Sequence, residues 1–271
     1  MSRRLVIHSV LMLMLCLLVG VASVQTVAAE KSTFEQILDR GEIVVGLGLQ
    51  APPYGYRNEK HQPVGYDVEV ANLIAQELGV KLKVVEVTGP NRIPYLLTKK
   101  VDLVIATFGI TPERAKSISF TNPYYAASLL IVGSKDADFK GVNGMSGFKV
   151  GVPRGTTQDI TLTAVAPKGT EIIRYEDDVT TTTALLTRRV DALIHSDLLA
   201  HEIIQKNPTK KLEIKGVLRV SPAGIGVREE DGRLLQWLNT FIFCNMTSGK
   251  LQELYQATTG TEMTELPMKS F

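Results

Sequence analysis

Ten residues of this chain occur twice, as LLTKKVDLVI at 96–105 and as LLTRRVDALI at 185–194, with six of ten positions identical. Each copy reads as the end of a helix, a basic turn and an apolar strand, because a short continuously apolar run fits a strand covered on both faces. Two such units commit the chain to an α/β architecture, whether they arose by duplication or share only the common grammar of helix-to-strand connections. In open α/β sheets a ligand sits beyond the carboxyl ends of the strands. Those ends are Thr107 to Gly109 in the first copy and His195 to Asp197 in the second.

The surrounding pattern agrees. EIVVGLG (42–48) is a short apolar strand, and DVEVANLIAQELG places Ala71, Ile74, Ala75 and Leu78 on one helical face before Gly79 stops it. VKLKVVEV and VDLVIATF read as further strands, so a parallel sheet covered on both faces is expected. No long Gly/Ser/Pro linker separates the halves. Two crossovers, LLIVGSK (129–135) and RVSPAGIGVRE (219–229), would form a two-stranded hinge. Residues 30–132 with 222–271 are then expected to make one lobe, and 133–221 the other.

Before this core come MSRR, a long apolar run and TVAAE, the three parts of a secretory leader with Val27 and Ala29 at its cleavage site. Residues 1–29 are read as a cleavable signal peptide, with an uncleaved membrane anchor as the alternative. The chain holds 30 basic and 28 acidic residues, and losing Arg3 and Arg4 with the leader leaves 28 of each. Such a balance points to no nucleic-acid or membrane-surface partner. Cys244 alone remains, so no internal disulfide forms, and it is expected to pack as a small hydrophobe. The sequon at Asn245 falls in a helical pattern.

Arg114 stands just past a strand end in TFGITPER, where Gly109 leaves backbone amides approachable. Its planar fork suits a carboxylate, though pairing with Glu113 or Asp102 at the surface would also account for it. In VGVPRGTTQDI (150–160), Thr156 or Thr157 can cap a helix whose first amides face an anion, or do no more than cap it. The HSD triplet (195–197) offers a carboxylate to an ammonium group. Together these groups fit a zwitterion. No Ser-His pair or metal-ligand cluster stands out, so neither metal nor cofactor is expected.

GYDVEVANLIAQELG, NRIPYLLTKKVDLVIATFGITPERAKSISFTNPYY and KVGVPRGTTQD, in this order, resemble the family 3 extracellular solute-binding proteins, the polar amino-acid receptors of bacterial ABC importers. The resemblance implies a periplasmic-binding-protein type II fold and a monomeric periplasmic receptor that hands an amino acid to a membrane permease. It implies that Arg114 clamps the ligand α-carboxylate, beside Thr107, Gly109 and Thr111. Thr157 with Thr156 supplies the second-lobe carboxylate contact, and Asp197 receives the α-amino group unless the register falls on Ser196. Tyr54 would wall the pocket, while Ala51 and Gly89 are small where many relatives carry larger residues. Arg92 matches the position that pairs with an acidic side chain, so glutamate or aspartate is expected, with glutamine or another polar neutral amino acid as the alternative. An exported dehydratase of the prephenate or arogenate type, on the same scaffold, is the alternative from another class.

Overall fold

The structure, a computed structural model, describes residues 31–264 and 266. The leader expected over residues 1–29 lies outside them. Among the described residues, no helix is long and apolar enough to cross a membrane.

After the helix Thr33–Arg40 the chain forms β1 (Glu42–Leu47), then a small antiparallel sheet of β2 (Gln50–Ala51), β3 (Gly55–Arg57) and β4 (Pro63–Val64). The helix Tyr66–Leu78, β5 (Lys81–Glu86), the helix Arg92–Leu97, β6 (Leu103–Ile105) and β7 (Ser119–Phe120) follow. The long strand β8 (Tyr125–Ser134) leads to β9 (Lys149–Pro153), the helix Thr157–Val165, β10 (Glu171–Tyr175), the helix Asp178–Leu186, β11 (Ala192–Ser196) and the helix Asp197–Lys206. β12 (Leu212–Ala223) returns to β13 (Gly226–Val227) and the helices Gly232–Thr247 and Lys250–Thr259. One sheet has the order β5-β1-β6-β13-β7 and the other β10-β9-β11-β8-β12.

Each sheet is mixed, not parallel throughout as the sequence pattern suggests. β1 runs parallel to β5 and β6, and β9 to β10 and β11, but β13 is antiparallel to β6, and β8 to β11. The cause is the double crossing: a chain that leaves one lobe and returns adds strands against the direction of the βαβ units.

The repeated decapeptide folds the same way twice. Lys99 and Arg188 both adopt φ 58 in the basic turn, and the N–H groups of Lys100 and Arg189 return to Tyr95 and Ala184 at 2.9 and 2.8 Å. The carboxylates of Asp102 and Asp191 then accept from Val44 and Lys149 N–H at 2.7 and 2.8 Å, tying each turn to the central strand. Both copies thus deliver an apolar strand beside β1 or β9 with its carboxyl end open.

β8 and β12 are shared between lobes. Their hydrogen-bonded register runs along the second sheet from Leu212–Ser134 to Ala223–Tyr125. Yet Tyr125, Ala127 and Ala223 pack in the first lobe's core with Tyr54, Tyr66 and Leu238, while Leu129, Leu130 and Ile131 pack in the second's. Side chains therefore change core between Ala127 and Leu129 on the way out and at Ala223 on the way back. The first changeover falls inside β8 and the second at the last residue of β12, beside the bounds at 132 and 222 that the sequence pattern suggests.

In the helix Gly232–Thr247, Phe241, Ile242 and Asn245 face the core and Cys244 is exposed, correcting the expectation that it packs inside. Helical spacing sends residues 243 and 244 to the opposite face. Asn245 donates to Glu77 and to Phe241 O at 2.8 and 3.0 Å.

Candidate functional site

The first wall of the interlobe cleft begins where β6 ends. Thr107 adopts φ 46, a conformation β-branched residues avoid. Its N–H is held there by the Asp67 carboxylate at 2.7 Å, and the Tyr124 hydroxyl donates to the other oxygen at 2.7 Å. Asp67 is fully buried; burial raises its pKa to about 6, against the Tyr124 and Thr107 hydrogen bonds and the Arg92 charge.

Because folding raises this pKa above that of an unfolded aspartate, protonation favours the fold. The contribution is whole below about pH 4, is lost as pH rises through about 6, and amounts to about 3 kcal/mol. Asp67→Asn keeps an acceptor for Thr107 and a partner for Tyr124 without the charge. Urea unfolding at pH 4.5 and 7.5 should show the variant gaining on the wild type by about 2 kcal/mol at the higher pH, because part of the contribution is already lost at pH 4.5. Parallel stability curves would count against the assignment.

Arg114 is buried, and its guanidinium lies 4.9 Å from the Phe108 ring centre. Nη1 donates to Gly109 O at 2.6 Å and to the Thr157 hydroxyl at 2.9 Å, and Nη2 donates to Gly155 O at 3.0 Å. The surface pairings open to it by sequence are taken: Glu113 holds Lys116 at 2.7 Å and Asp102 holds Arg40. Burial, then the Arg92 and Arg219 charges, pushes its pKa down to about 9, leaving it ionised at neutral pH. Thr111 accepts from Arg114 N–H at 3.3 Å, so it caps this turn. Arg92 is also buried, 5.5 Å from the Phe108 ring, with Nε lacking a hydrogen-bond partner. Burial lowers its pKa, opposed by the Asp178 and Asp67 charges.

From the second lobe, Thr156 caps the helix Thr157–Val165, its hydroxyl accepting from Asp159 N–H at 3.4 Å. Thr157 faces Arg114. At the end of β11, Ser196 lines the cleft, whereas Asp197 turns toward the first lobe. Its oxygens accept from the Tyr54 hydroxyl at 3.3 Å and Ser128 N–H at 3.1 Å. Tyr54 is fully buried, stacked on Tyr125 at 5.0 Å.

The enclosed space between the lobes, about 490 Å³ including its open side, is lined by Arg92, Thr107, Thr156, Thr157 and Ser196. Tyr54, Gly109, Thr111, Arg114 and Asp197 are not among the residues that line it. Tyr125, Ser221 and Asp178 also line it and were not foreseen. A second chamber opens from Arg92 and Ala51 toward Gln50, Glu176, Asp177 and Asp178. Carboxylates therefore stand near Arg92, which the expectation of an acidic ligand did not include. The only signal was the acidic run EDD at 176–178, which looks like a helix start and is one: Asp177 accepts from Thr180 N–H at 2.7 Å. Among the described residues no cluster of His, Cys, Asp and Glu could hold a metal ion.

Known proteins share both sequence and shape. The L-cystine-binding protein TcyJ of Escherichia coli K12 is 28% identical over 92% of this chain and 96% of its own. The arginine-bound form of a truncated ArgBP from T. maritima is 37% identical, with a TM-score of 0.72 over 78% of this chain and 99% of that one. The ancestral amino acid-binding protein AncCDT-1, a precursor of cyclohexadienyl dehydratase, is 28% identical, with a TM-score of 0.76 over 84% of this chain and all of the other. Two α/β lobes joined by crossing strands form the periplasmic-binding-protein type II fold. The profile of the bacterial extracellular solute-binding proteins, family 3, matches residues 43–261, and the chain belongs to that family.

Proposed function

We propose that this protein is an extracytoplasmic receptor that closes its two lobes on a free amino acid and delivers it to an ABC permease, acting as a monomer in the periplasm after removal of residues 1–29. One observation carries the reading: Arg114 is a buried cation for which no carboxylate partner is found among the described residues. A buried charge held only by carbonyls and a hydroxyl is poorly compensated, and a ligand carboxylate entering between Arg114 and Thr157 supplies the missing anion. The first amides of the helix Thr157–Val165 favour the same charge. Thr107 and Ser196 face the α-amino group, with Asp197 one residue further on. Glu176, Asp177 and Asp178 outnumber Arg92 in the adjoining chamber, so a basic side chain, as in arginine, fits it best. The arginine-bound relative supports that choice.

The second reading is glutamate or aspartate, favoured by the unpartnered Nε of Arg92; a polar neutral side chain such as glutamine could use both Arg92 and Asp178. Competition calorimetry decides among the ligands. Arginine should bind at least tenfold, or about 1.4 kcal/mol, more tightly than glutamate. Tighter binding of glutamate overturns the basic assignment in favour of the acidic one, and turnover of a prephenate-like acid overturns the receptor.

A further inference from the structure

His195 sits at the heart of β11 with no exposed surface, one residue before the cleft-lining Ser196. Its Nε2 lies 3.2 Å from the Thr182 hydroxyl. Its Nδ1 lies 3.1 Å from Asp178 Oδ1 without forming a hydrogen bond there, and no hydrogen-bond partner is found for it among the described residues. Thr182 and Asp178 belong to the same helix, one turn apart, so the imidazole is braced against both.

Chemistry selects the tautomer. If Nε2 carried the proton, the Nδ1 lone pair would face a carboxylate in a buried setting, a repulsive arrangement. With Thr182 donating into Nε2, the proton sits on Nδ1, the nitrogen 3.1 Å from Asp178 Oδ1. A buried donor so placed fixes the rotamer of a carboxylate that is mostly covered yet lines the cleft. Asp178 then has one oxygen committed to the ring and the other free for the ligand.

We infer that His195 is a positioning residue that sets side-chain specificity by aiming Asp178 into the ligand chamber. This rests on the proposed reading of Asp178 as the acceptor for a basic side chain. His195 touches no ligand itself; it acts through the carboxylate, as a partner behind a binding group commonly does.

The test pairs arginine with citrulline, which shares its shape and its α-groups but lacks the charge, in titrations of the wild type, His195→Leu and His195→Asn. In His195→Leu, arginine affinity should fall roughly tenfold while citrulline changes little, so that their ratio collapses. The amide of His195→Asn can donate from near the Nδ1 position and should recover most of the ratio. Equal weakening of both ligands, or an unchanged ratio, overturns the inference. Nitrogen NMR of labelled histidine in the unliganded wild type and Asp178→Asn gives a readout independent of any ligand. A proton on Nδ1 whose resonance moves in Asp178→Asn supports the pairing, and a proton on Nε2 overturns it. A wild type showing that signature but binding no basic amino acid overturns the ligand class while the pairing stands.

Discussion

Arg114→Ala should lose ligand binding by about 3 kcal/mol or more, over roughly a hundredfold in affinity, whichever amino acid proves to be the ligand. The guanidinium is buried against Phe108 and anchored from both lobes, by Gly109 O on one side and by Gly155 O and Thr157 on the other. Gly109 O, in its own lobe, holds the fork before a ligand arrives, and the bonds to Gly155 O and Thr157 add to it on closure. Truncation would leave the ligand carboxylate desolvated without its cation, which is the expensive case for a buried pair. Arg114→Lys keeps the charge but not the two-pronged donor, so an intermediate loss of roughly tenfold is expected. Calorimetry measures the affinities, and thermal unfolding supplies the control. The unliganded variant should unfold near the wild type, while the rise in midpoint on adding ligand disappears. Native-like affinity in Arg114→Ala would mean that the carboxylate is held elsewhere in the cleft.

The parts of this fold that were legible in the sequence are those fixed by local rules. The decapeptide repeat announced two helix-turn-strand units, and Lys99 and Arg188 do share one backbone conformation. Ala71, Ile74 and Ala75 face the core as their helical spacing requires, and Leu78 is partly buried against it. What stayed hidden depends on distance in space. Arg92 and Asp178 lie far apart in sequence, and only the folding of one lobe over the other brings them to one cavity. Asp178 also sits at a helix start, where a carboxylate has a sufficient local reason to be. His195 occupies an apolar strand, and periodicity alone cannot tell a satisfied core histidine from one that serves a neighbour. In HSD, successive side chains near a strand end point to opposite sides, so a one-residue uncertainty decides whether Ser196 or Asp197 faces the cleft. Thr111 shows a second job that its place in a motif did not announce, accepting from Arg114 N–H at 3.3 Å.

Gly89→Ala should disable closure while leaving each lobe folded. From sequence, its small size looked like an absent wall of the ligand pocket; the structure gives another reason. A Cβ at this position would collide with the carbonyl oxygen of Arg154 in the opposite lobe, and would also press on the Thr156 methyl at 3.3 Å. The first obstacle is backbone, which cannot swing aside as a flexible side chain would, so the lobes must stay apart. Within the first lobe nothing forbids the substitution, because Gly89 is not in a left-handed conformation and alanine adopts its backbone freely. Stability to urea should therefore change by less than about 1 kcal/mol. Binding should suffer much more, since a ligand held by the first lobe alone forfeits Thr156, Thr157, Ser196 and Asp178. Losing two charge-assisted hydrogen bonds from that set costs about 3–6 kcal/mol, a drop of roughly a hundredfold or more. Small-angle scattering separates this cause from local damage to the pocket. The wild type should contract on adding saturating ligand and Gly89→Ala should not, even at concentrations where it is occupied. Contraction of the variant to the wild-type dimensions, with affinity kept, would show that the Gly89–Arg154 approach does not limit closure.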